Sequence, residues 1–264
     1  MSLIVIADGV VAVENTVKPG APADLYRDHA VDRDLADDSV VEEALRLKKQ
    51  LACGLTLLSA APAVFEKHMR AYLAAGCDRA VRLEADYAAL LDARLRAQVI
   101  AQQLRGIDGW KAALFLDRTG AGAPAVVPHY VARLLGLPSL AQVVSARPDG
   151  DALEIVRRAD GVISTYKSRG PVVLAVASRA ALRNPSFMDV HRSRKASIEV
   201  VDAAALAAFA QMQADGAVAR PLHLEAPAEI RREGALAQQL GVDETVERIV
   251  NLCAPFLLAA PGAA

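Results

Sequence analysis

The glycine-rich segment at residues 118–124 is the part of the sequence best suited to hold a ligand. Gly120 and Gly122 would let the backbone approach a phosphate closely, and a helix starting after them would offer unpaired N–H groups. No Gly-Lys-Ser or Gly-Lys-Thr follows, and the segment lies too far from the first strand to be a dinucleotide fingerprint. A tight connection that binds nothing explains the same spacing equally well.

Side chains that commonly perform metal or acid–base chemistry are not arranged for it. The five histidines include no pair at the spacing of metal ligands, although His129 lies near a helix start and could touch a ligand. The acids Asp37, Asp38, Glu42 and Glu43 suggest a metal, but carboxylates also stabilise and solvate the start of a helix, and we favour that interpretation. We therefore predict no metal site and identify no catalytic acid, base or nucleophile.

The polar segment at residues 179–197 carries an apolar pair, Phe187 and Met188, followed by a basic run that includes Arg192 and Lys195. An apolar tip on a polar loop is typical of a contact with another protein. The basic run could bind phosphate, but the chain as a whole is not basic, which favours a docking patch. We predict that these four residues dock a partner.

Residues 1–138 alternate between short apolar runs and helical patterns. The runs at residues 3–7, 55–59, 80–83 and 112–116 predict strands that are covered on both faces. Helices are expected to begin at Ser39, Pro62 and Asp86, and a fourth to end at Gly136. This order predicts an α/β fold with a parallel sheet, right-handed crossovers and helices on both faces.

Ligands of such sheets bind beyond the carboxyl ends of the strands, which identifies the residues that could hold a cofactor. They follow the first, second and fourth predicted strands. The candidate cofactor-binding residues are Ala7, Asp8, Ala60, Asp117, Thr119, Gly120, Gly122 and Ala125.

The pattern changes after Pro138. Asp-Gly pairs at residues 149–150 and 160–161 predict hairpin turns, so an antiparallel section is expected to pack on the parallel one. A further strand is expected at residues 171–177. We divide the chain into an α/β nucleotide-binding-like domain, residues 1–200, and a C-terminal helical arm, residues 201–264. Helices are expected within the arm at residues 203–214 and 243–253.

The composition is typical of a globular protein. Of the 264 residues, 53% are hydrophobic and 23% are charged, which is enough apolar mass for a packed core. The net charge of −1 argues against a nucleic-acid partner. Charged residues interrupt every apolar run before the ~20 residues of a spanning helix, so no membrane insertion is expected. Three distant cysteines and the lack of a secretory pattern predict a cytoplasmic location.

An ordered set of segments resembles the β subunits of electron-transfer flavoproteins. Residues 40–48 look like the helix after the first loop, and Leu-Ala-Ala-Gly-Cys-Asp-Arg-Ala at residues 73–80 is similar to a turn of that family. Residues 134–138 resemble the end of its nucleotide helix, and residues 171–199 resemble its recognition-loop region. The resemblance covers about residues 3–200, and it implies an adenine-nucleotide α-hydrolase-like core.

The resemblance implies a heterodimer that carries electrons from a primary flavin dehydrogenase to a quinone reductase or similar acceptor. FAD would be held mainly by the α subunit, next to this chain, and AMP or a second flavin would be held within this chain. The docking anchor of the family corresponds to Phe187, and the C-terminal arm would pack on the α subunit. The chain would be a subunit of an electron carrier rather than an enzyme with its own catalytic side chains.

This sequence departs from the family at the nucleotide. The family's Asn-Pro motif before the first helix is replaced at residues 34–38, and its aspartate-rich motif is replaced at residues 120–127. Asp8 stands after the first strand, where it would repel a phosphate by about 1 kcal/mol or more. We therefore expect a divergent member whose nucleotide is altered or weakly held. Two alternatives are an adenine-nucleotide hydrolase and a non-catalytic nucleotide-binding scaffold, although residues 8–10 provide no phosphate-gripping loop for the hydrolase.

Overall fold

The computed structural model describes residues 1–11, 31–84, 92–118, 125–202 and 241–257. The chain divides into two compact units, residues 1–225 and 226–264. The strands of the first unit are β1 (Ser2–Ile6), β2 (Val10–Val11), β3 (Val31–Asp32), β4 (Gly54–Ser59), β5 (Arg79–Glu84), β6 (Trp110–Leu116), β7 (Ser139–Asp149), β8 (Ala152–Ala159), β9 (Val162–Ser168), β10 (Val172–Val176) and β11 (Glu199–Asp202). Its helices are α1 (Leu35–Leu51), α2 (Glu66–Ala75), α3 (Ala93–Arg105), α4 (Val127–Leu135) and α5 (Phe187–Arg194), and the described part of the second unit is α6 (Val242–Leu257).

The described strands, apart from the small antiparallel pair β2–β3, form one nine-stranded sheet in the order β11-β5-β4-β1-β6-β10-β7-β8-β9. Neighbours are parallel from β11 to β7, and β7, β8 and β9 are antiparallel. The sequence predicted that the antiparallel section packs on the parallel one. Instead, the antiparallel strands extend the parallel sheet edge to edge. The reason is that β7 pairs with β10 along one side and with β8 along the other.

Side chains of β1 alternate between two hydrophobic clusters, one on each face of the sheet. Leu3 and Val5 pack in the cluster that includes Val41 of α1, whereas Ile4 and Ile6 pack in the cluster that includes Ile100 of α3. Burying each such side chain stabilises the fold by roughly 1.5–3 kcal/mol. The predicted parallel α/β sheet with helices on both faces is therefore confirmed.

Three helices begin at residues other than those predicted. The first does not begin at Ser39: α1 starts one turn earlier, because the Asp34 carboxylate accepts a hydrogen bond from Ala36 N–H at 2.8 Å. The helix expected from Pro62 begins at Glu66, because a short 3-10 helix, Ala63–Phe65, comes first. The helix expected from Asp86, a residue outside the described part of the chain, begins at Ala93. There the carboxylate of Asp92 caps the first turn.

The segment at residues 179–197 is not a continuous loop, because it contains α5. The strand β11 that follows it was not predicted, since its sequence is polar at both ends and it lies at the edge of the sheet. The helix expected at residues 203–214 lies outside the described residues, and the one expected at residues 243–253 is confirmed as α6. Within the described ranges, no helix combines the length and apolar content needed to cross a bilayer.

Candidate functional site

The carboxyl ends of β1 and β4 bring together three of the predicted site residues. Ala7 and Asp8 follow β1, and Ala60 follows β4. The Ala7 N–H donates to Leu58 O at 3.2 Å, which extends the parallel pairing by one residue. Asp8 then bridges the two strand ends, because its Oδ1 accepts from Ala60 N–H at 2.5 Å and from the Ser59 hydroxyl at 3.2 Å.

Asp37 completes this strand-end cluster, and the sequence interpretation missed it. Its Oδ2 accepts hydrogen bonds from the N–H groups of Asp8 and Gly9, at 3.2 and 2.8 Å. Burial, and then the charge of Asp8, raises the pKa of Asp37 to about 7. The expectation that the acids solvate a helix start is wrong for Asp37, Asp38 and Glu42, which are buried at 5%, 5% and 6% exposure.

Carboxylates therefore already use the backbone donors that a phosphate would need at this edge. Phosphates at such strand ends are held largely by backbone N–H groups. Here the N–H groups of Asp8, Gly9 and Ala60 donate to the carboxylates of Asp37 and Asp8. The second oxygen of Asp8 lies 3.2 Å from Arg96 Nη2 in an ion pair. The residues at the ends of β1 and β4 thus do not fit a nucleotide phosphate.

Asp117 and Ala125 lie close together at the end of β6, where they form hydrogen bonds to the protein backbone. Asp117 N–H donates to Val176 O at 3.1 Å, and Ala125 N–H donates to Asp117 O at 2.8 Å. The Asp117 carboxylate accepts from Gln142 N–H at 2.7 Å, which supports the left-handed backbone of Gln142 at φ +55°. Three predicted residues lie outside the described part of the chain: Thr119, Gly120 and Gly122.

A cavity of about 880 Å³ opens beyond the ends of β6 and β10. The start of α1 and residues 177–185 form its walls. Among the predicted site residues that the structure describes, Asp117 lines it. Sequence reasoning missed its basic side chains, because they come from separate segments and form no motif. The arginines that line the cavity are Arg33, Arg118, Arg179 and Arg183.

A buried network fixes one of these arginines at the cavity wall. The Tyr72 hydroxyl donates to Asp38 Oδ1 at 3.1 Å, and Arg33 Nε lies 3.1 Å from the same oxygen. Burial raises the pKa of Asp38, although the charge of Arg33 and the hydroxyl of Tyr72 oppose that effect. Burial also raises the pKa of Tyr72, so its hydroxyl stays protonated and can act as the donor.

The predicted docking residues lie on a different element, α5. Phe187 and Met188 begin this helix with 83% and 64% of their surface exposed, so the expected apolar tip is exposed. Ser186 caps the helix by accepting from Asp189 N–H at 3.2 Å. The exposed Arg192 pairs with Asp189 on the same helix. Lys195, also exposed, is the C-cap residue.

No group of three or more His, Cys, Asp or Glu side chains that could hold a metal ion occurs within the described ranges. His129, considered above as a ligand contact, has its Nδ1 3.0 Å from the Ser139 hydroxyl. The acids that suggested a metal contact protein groups instead. Glu42, for example, accepts hydrogen bonds from the backbone and side chain of Arg183.

Comparison with known proteins identifies relatives over most of the first unit. A family model described as "Electron transfer flavoprotein domain" matches residues 26–206. The chain is 27% identical over 187 residues to an electron transfer flavoprotein subunit beta of Mycobacterium leprae, with 66% of this chain and 70% of that protein covered. A subunit beta of Mycobacterium bovis is 28% identical over the same coverage. One of Bradyrhizobium diazoefficiens is 28% identical over 164 residues, which is 61% of this chain and 63% of that protein.

Proposed function

Because this chain belongs to the electron transfer flavoprotein family, we propose that it is the β subunit of a heterodimer that carries electrons from a primary flavin dehydrogenase to a quinone reductase or similar acceptor. The family match over residues 26–206 carries this proposal. The names of its relatives as β subunits support it. In this role the chain needs no catalytic acid or base of its own.

We place FAD mainly in the α subunit, against this chain. When bound, the flavin accepts and releases electrons, and this chain would bind, orient and shield it. We propose that the cavity beside β6 and β10 is the part of this chain that faces the flavin, because its volume lies in the range of roughly 300–1,000 Å³ that is usual for ligand sites. Arg33 is the wall residue best suited to hold an anionic or aromatic group, because Asp38 and Tyr72 fix its position.

We propose that this subunit holds AMP weakly or not at all. The carboxyl groups of Asp8 and Asp37 use the strand-end donors, and the charge of Asp8 would repel the phosphate. This interpretation treats the chain as a divergent member of its family. It concerns the nucleotide alone and is independent of FAD in the α subunit.

The C-terminal arm, residues 201–264, is proposed to pack on the α subunit. Within α6, apolar side chains at helical spacing are at least half exposed: Val242, Val246, Ile249 and Val250. A cytoplasmic location is proposed from the cysteines. Cys53 and Cys77 are free thiols, and burial raises the pKa of Cys77 to about 12, which keeps that thiol protonated.

The decisive experiment is co-expression with the α subunit, followed by denaturation of the purified complex and quantification of the released cofactors. A yellow complex that releases FAD, with far less than one AMP per heterodimer, is the expected result. A colourless monomer that hydrolyses adenine nucleotides would instead establish the hydrolase. A colourless, inactive nucleotide-binding protein would establish the scaffold. Stoichiometric AMP would overturn the nucleotide proposal.

We propose that Phe187 and Met188 contact the primary dehydrogenase, with Arg192 and Lys195 at the rim. Phe187→Ala is expected to raise the apparent KM of the dehydrogenase for the heterodimer, while the bound FAD stays unchanged. Val64→Ala, which truncates an apolar residue 44% exposed on a different element, is the matched control. Unchanged kinetics for Phe187→Ala would remove the docking role.

A further inference from the structure

Two adjacent glutamates of α1 hold the segment that leads into α5. The Ser178 hydroxyl donates to Glu43 Oε1 at 3.0 Å, near the start of residues 177–185. Near the end of this segment, Arg183 N–H donates to Glu42 Oε2 at 3.1 Å. The segment forms neither helix nor strand, so these contacts take the place of regular pairing in fixing its path.

Arg183 grips Glu42 with its side chain as well. Its Nε donates to Oε2 at 3.0 Å and its Nη2 donates to Oε1 at 2.9 Å, which is the two-point geometry that suits arginine and a carboxylate. Burial alone would raise the pKa of Glu42, but the hydrogen bonds and charge of Arg183 outweigh it, so this pKa is lowered. The Glu42 side chain is 7% exposed and that of Arg183 is 40% exposed. The Glu42–Arg183 pair is therefore buried at the glutamate and partly exposed to solvent at the arginine.

The Glu42–Arg183 pair lies immediately before α5, the helix that carries the proposed docking residues. Only residues 184–186 separate Arg183 from Phe187 and Met188, which are the first residues of α5. Leu182, next to Arg183, packs against the hydrophobic cluster under α1. A surface segment that is already ordered loses less conformational entropy when a partner binds. Fixing residues 177–185 thus prepares the apolar tip for contact.

We infer that the Glu42–Arg183 pair is a positioning element for partner docking, because it fixes on α1 the segment that presents Phe187 and Met188. This inference rests on the docking role proposed for those two residues. Arg183 acts through the segment and is not itself the anchor that the partner protein contacts.

The test uses the complete heterodimer and the flavin dehydrogenase that reduces it fastest. Arg183→Gln removes the charge and the two-point grip, and we expect its apparent KM to rise about fivefold to tenfold, as for a weakened interface anchor, with kcat changed less than about twofold. Arg183→Lys, which keeps the charge, is expected to raise the apparent KM less than Arg183→Gln does. Rates are normalised to the FAD bound by each variant, because Arg183 also lines the cavity beside β6 and β10, and direct reduction by dithionite checks that the bound flavin is redox-active. Arg46→Gln is the control, because Arg46 also pairs with Glu42 and Glu43 but bonds to no residue of the segment in the described structure.

A double-mutant cycle with Phe187→Ala separates the inference from the function on which it rests. If Arg183 acts through Phe187, Arg183→Gln should raise the apparent KM only slightly further in the Phe187→Ala background. The positioning role would be overturned, and docking left intact, if the two variants raise the apparent KM independently of each other. The same holds if Phe187→Ala raises the KM and Arg183→Gln leaves it unchanged. No effect of Phe187→Ala would refute docking and this inference together. Should Arg183→Gln fail to fold, Arg183→Lys enters the same cycle, with the same outcomes.

Discussion

Asp37 offers the most direct test of the strand-end cluster. Its buried carboxyl accepts hydrogen bonds from the backbone of Asp8 and Gly9. Burial and the charge of Asp8 raise its pKa to about 7. Asp37→Asn keeps an oxygen acceptor in place but cannot lose a proton. We therefore expect this variant to change how the free energy of unfolding depends on pH.

The direction of the effect follows from proton binding. In the unfolded chain the Asp37 carboxyl ionises near its ordinary pKa of 3.8, whereas in the folded protein it stays protonated up to about 7. Between these values the folded state binds more protons, so wild type loses stability as the pH rises through this window. The full interval between the two pKa values corresponds to at most about 4 kcal/mol. Asp37→Asn should lack this loss.

Urea unfolding of wild type and Asp37→Asn at about pH 4.5 and about pH 8 measures the effect. The free energy of unfolding of the variant, relative to wild type, should be higher at the alkaline pH than at the acidic pH by about 1–4 kcal/mol. Asp108→Asn, which removes an exposed carboxylate, is the control and should show no such change. An equal difference between Asp37→Asn and wild type at both pH values would refute protonation of Asp37 near neutrality.

Three further variants test a buried hydroxyl, a turn and a strand-end charge. Tyr72→Phe removes the donor to the buried carboxylate of Asp38 and should lower the free energy of unfolding in urea by about 1–3 kcal/mol. Gly76→Ala should cost about 1–3 kcal/mol in the same assay, because Gly76 has φ +126° and a Cβ there would lie 3.2 Å from Leu45 Cδ2. Asp8→Asn is expected to tighten AMP binding to the heterodimer, measured by calorimetry.

Matched variants distinguish these effects from general sensitivity to mutation. Tyr130→Phe removes a hydroxyl from a side chain that is 43% exposed, and Gly170→Ala adds a Cβ where nothing lies within 4 Å. Both are expected to leave the free energy of unfolding near that of wild type. Losses as large as those of Tyr72→Phe or Gly76→Ala would contradict the proposed causes.

The parallel sheet could be predicted because its strands are continuous apolar runs. β1 is buried on both faces, and such a strand needs no alternation of polar and apolar residues. The Asp-Gly turns at residues 149–150 and 160–161 likewise identified the hairpins, since Gly150 and Gly161 have positive φ. The edge-on attachment of the hairpins was not predictable, because it depends on β10, which lies later in the chain and inserts beside β7.

The start of α1 shows where local patterns are insufficient. Asp34 and Ser39 are both good N-cap residues, and Ser39 even has a glutamate three residues later. Asp34 caps the helix in the structure, and the Ser39 hydroxyl donates to Leu35 O within it. Glu42 is turned toward Arg183, a residue distant in sequence. No local rule reveals such a pairing.

The candidate site was predictable where topology decides and unpredictable where packing decides. Asp8 and Ala60 were identified because the carboxyl ends of adjacent parallel strands must meet. The burial of Asp37 was not identified, because an acid in the first turn of a helix usually faces solvent. The arginines around the cavity were missed for a similar reason: three separate segments contribute them, and only the folded chain brings them together.

Asp8 decides whether the strand ends repel a nucleotide. Its Oδ1 accepts a hydrogen bond from Ala60 N–H, and its Oδ2 pairs with Arg96. Asp8→Asn can keep the hydrogen bond from Ala60 while it removes one negative charge. A charge about 4 Å from a phosphate opposes binding by about 1 kcal/mol in water and by about 4 kcal/mol near a protein surface. Because Arg96 neutralises part of that charge, we expect the lower figure, which corresponds to about fivefold tighter binding of AMP. Asp108→Asn should leave the affinity as it is. If Asp8→Asn binds AMP no better than wild type, this carboxylate is not what keeps a phosphate from the sheet edge.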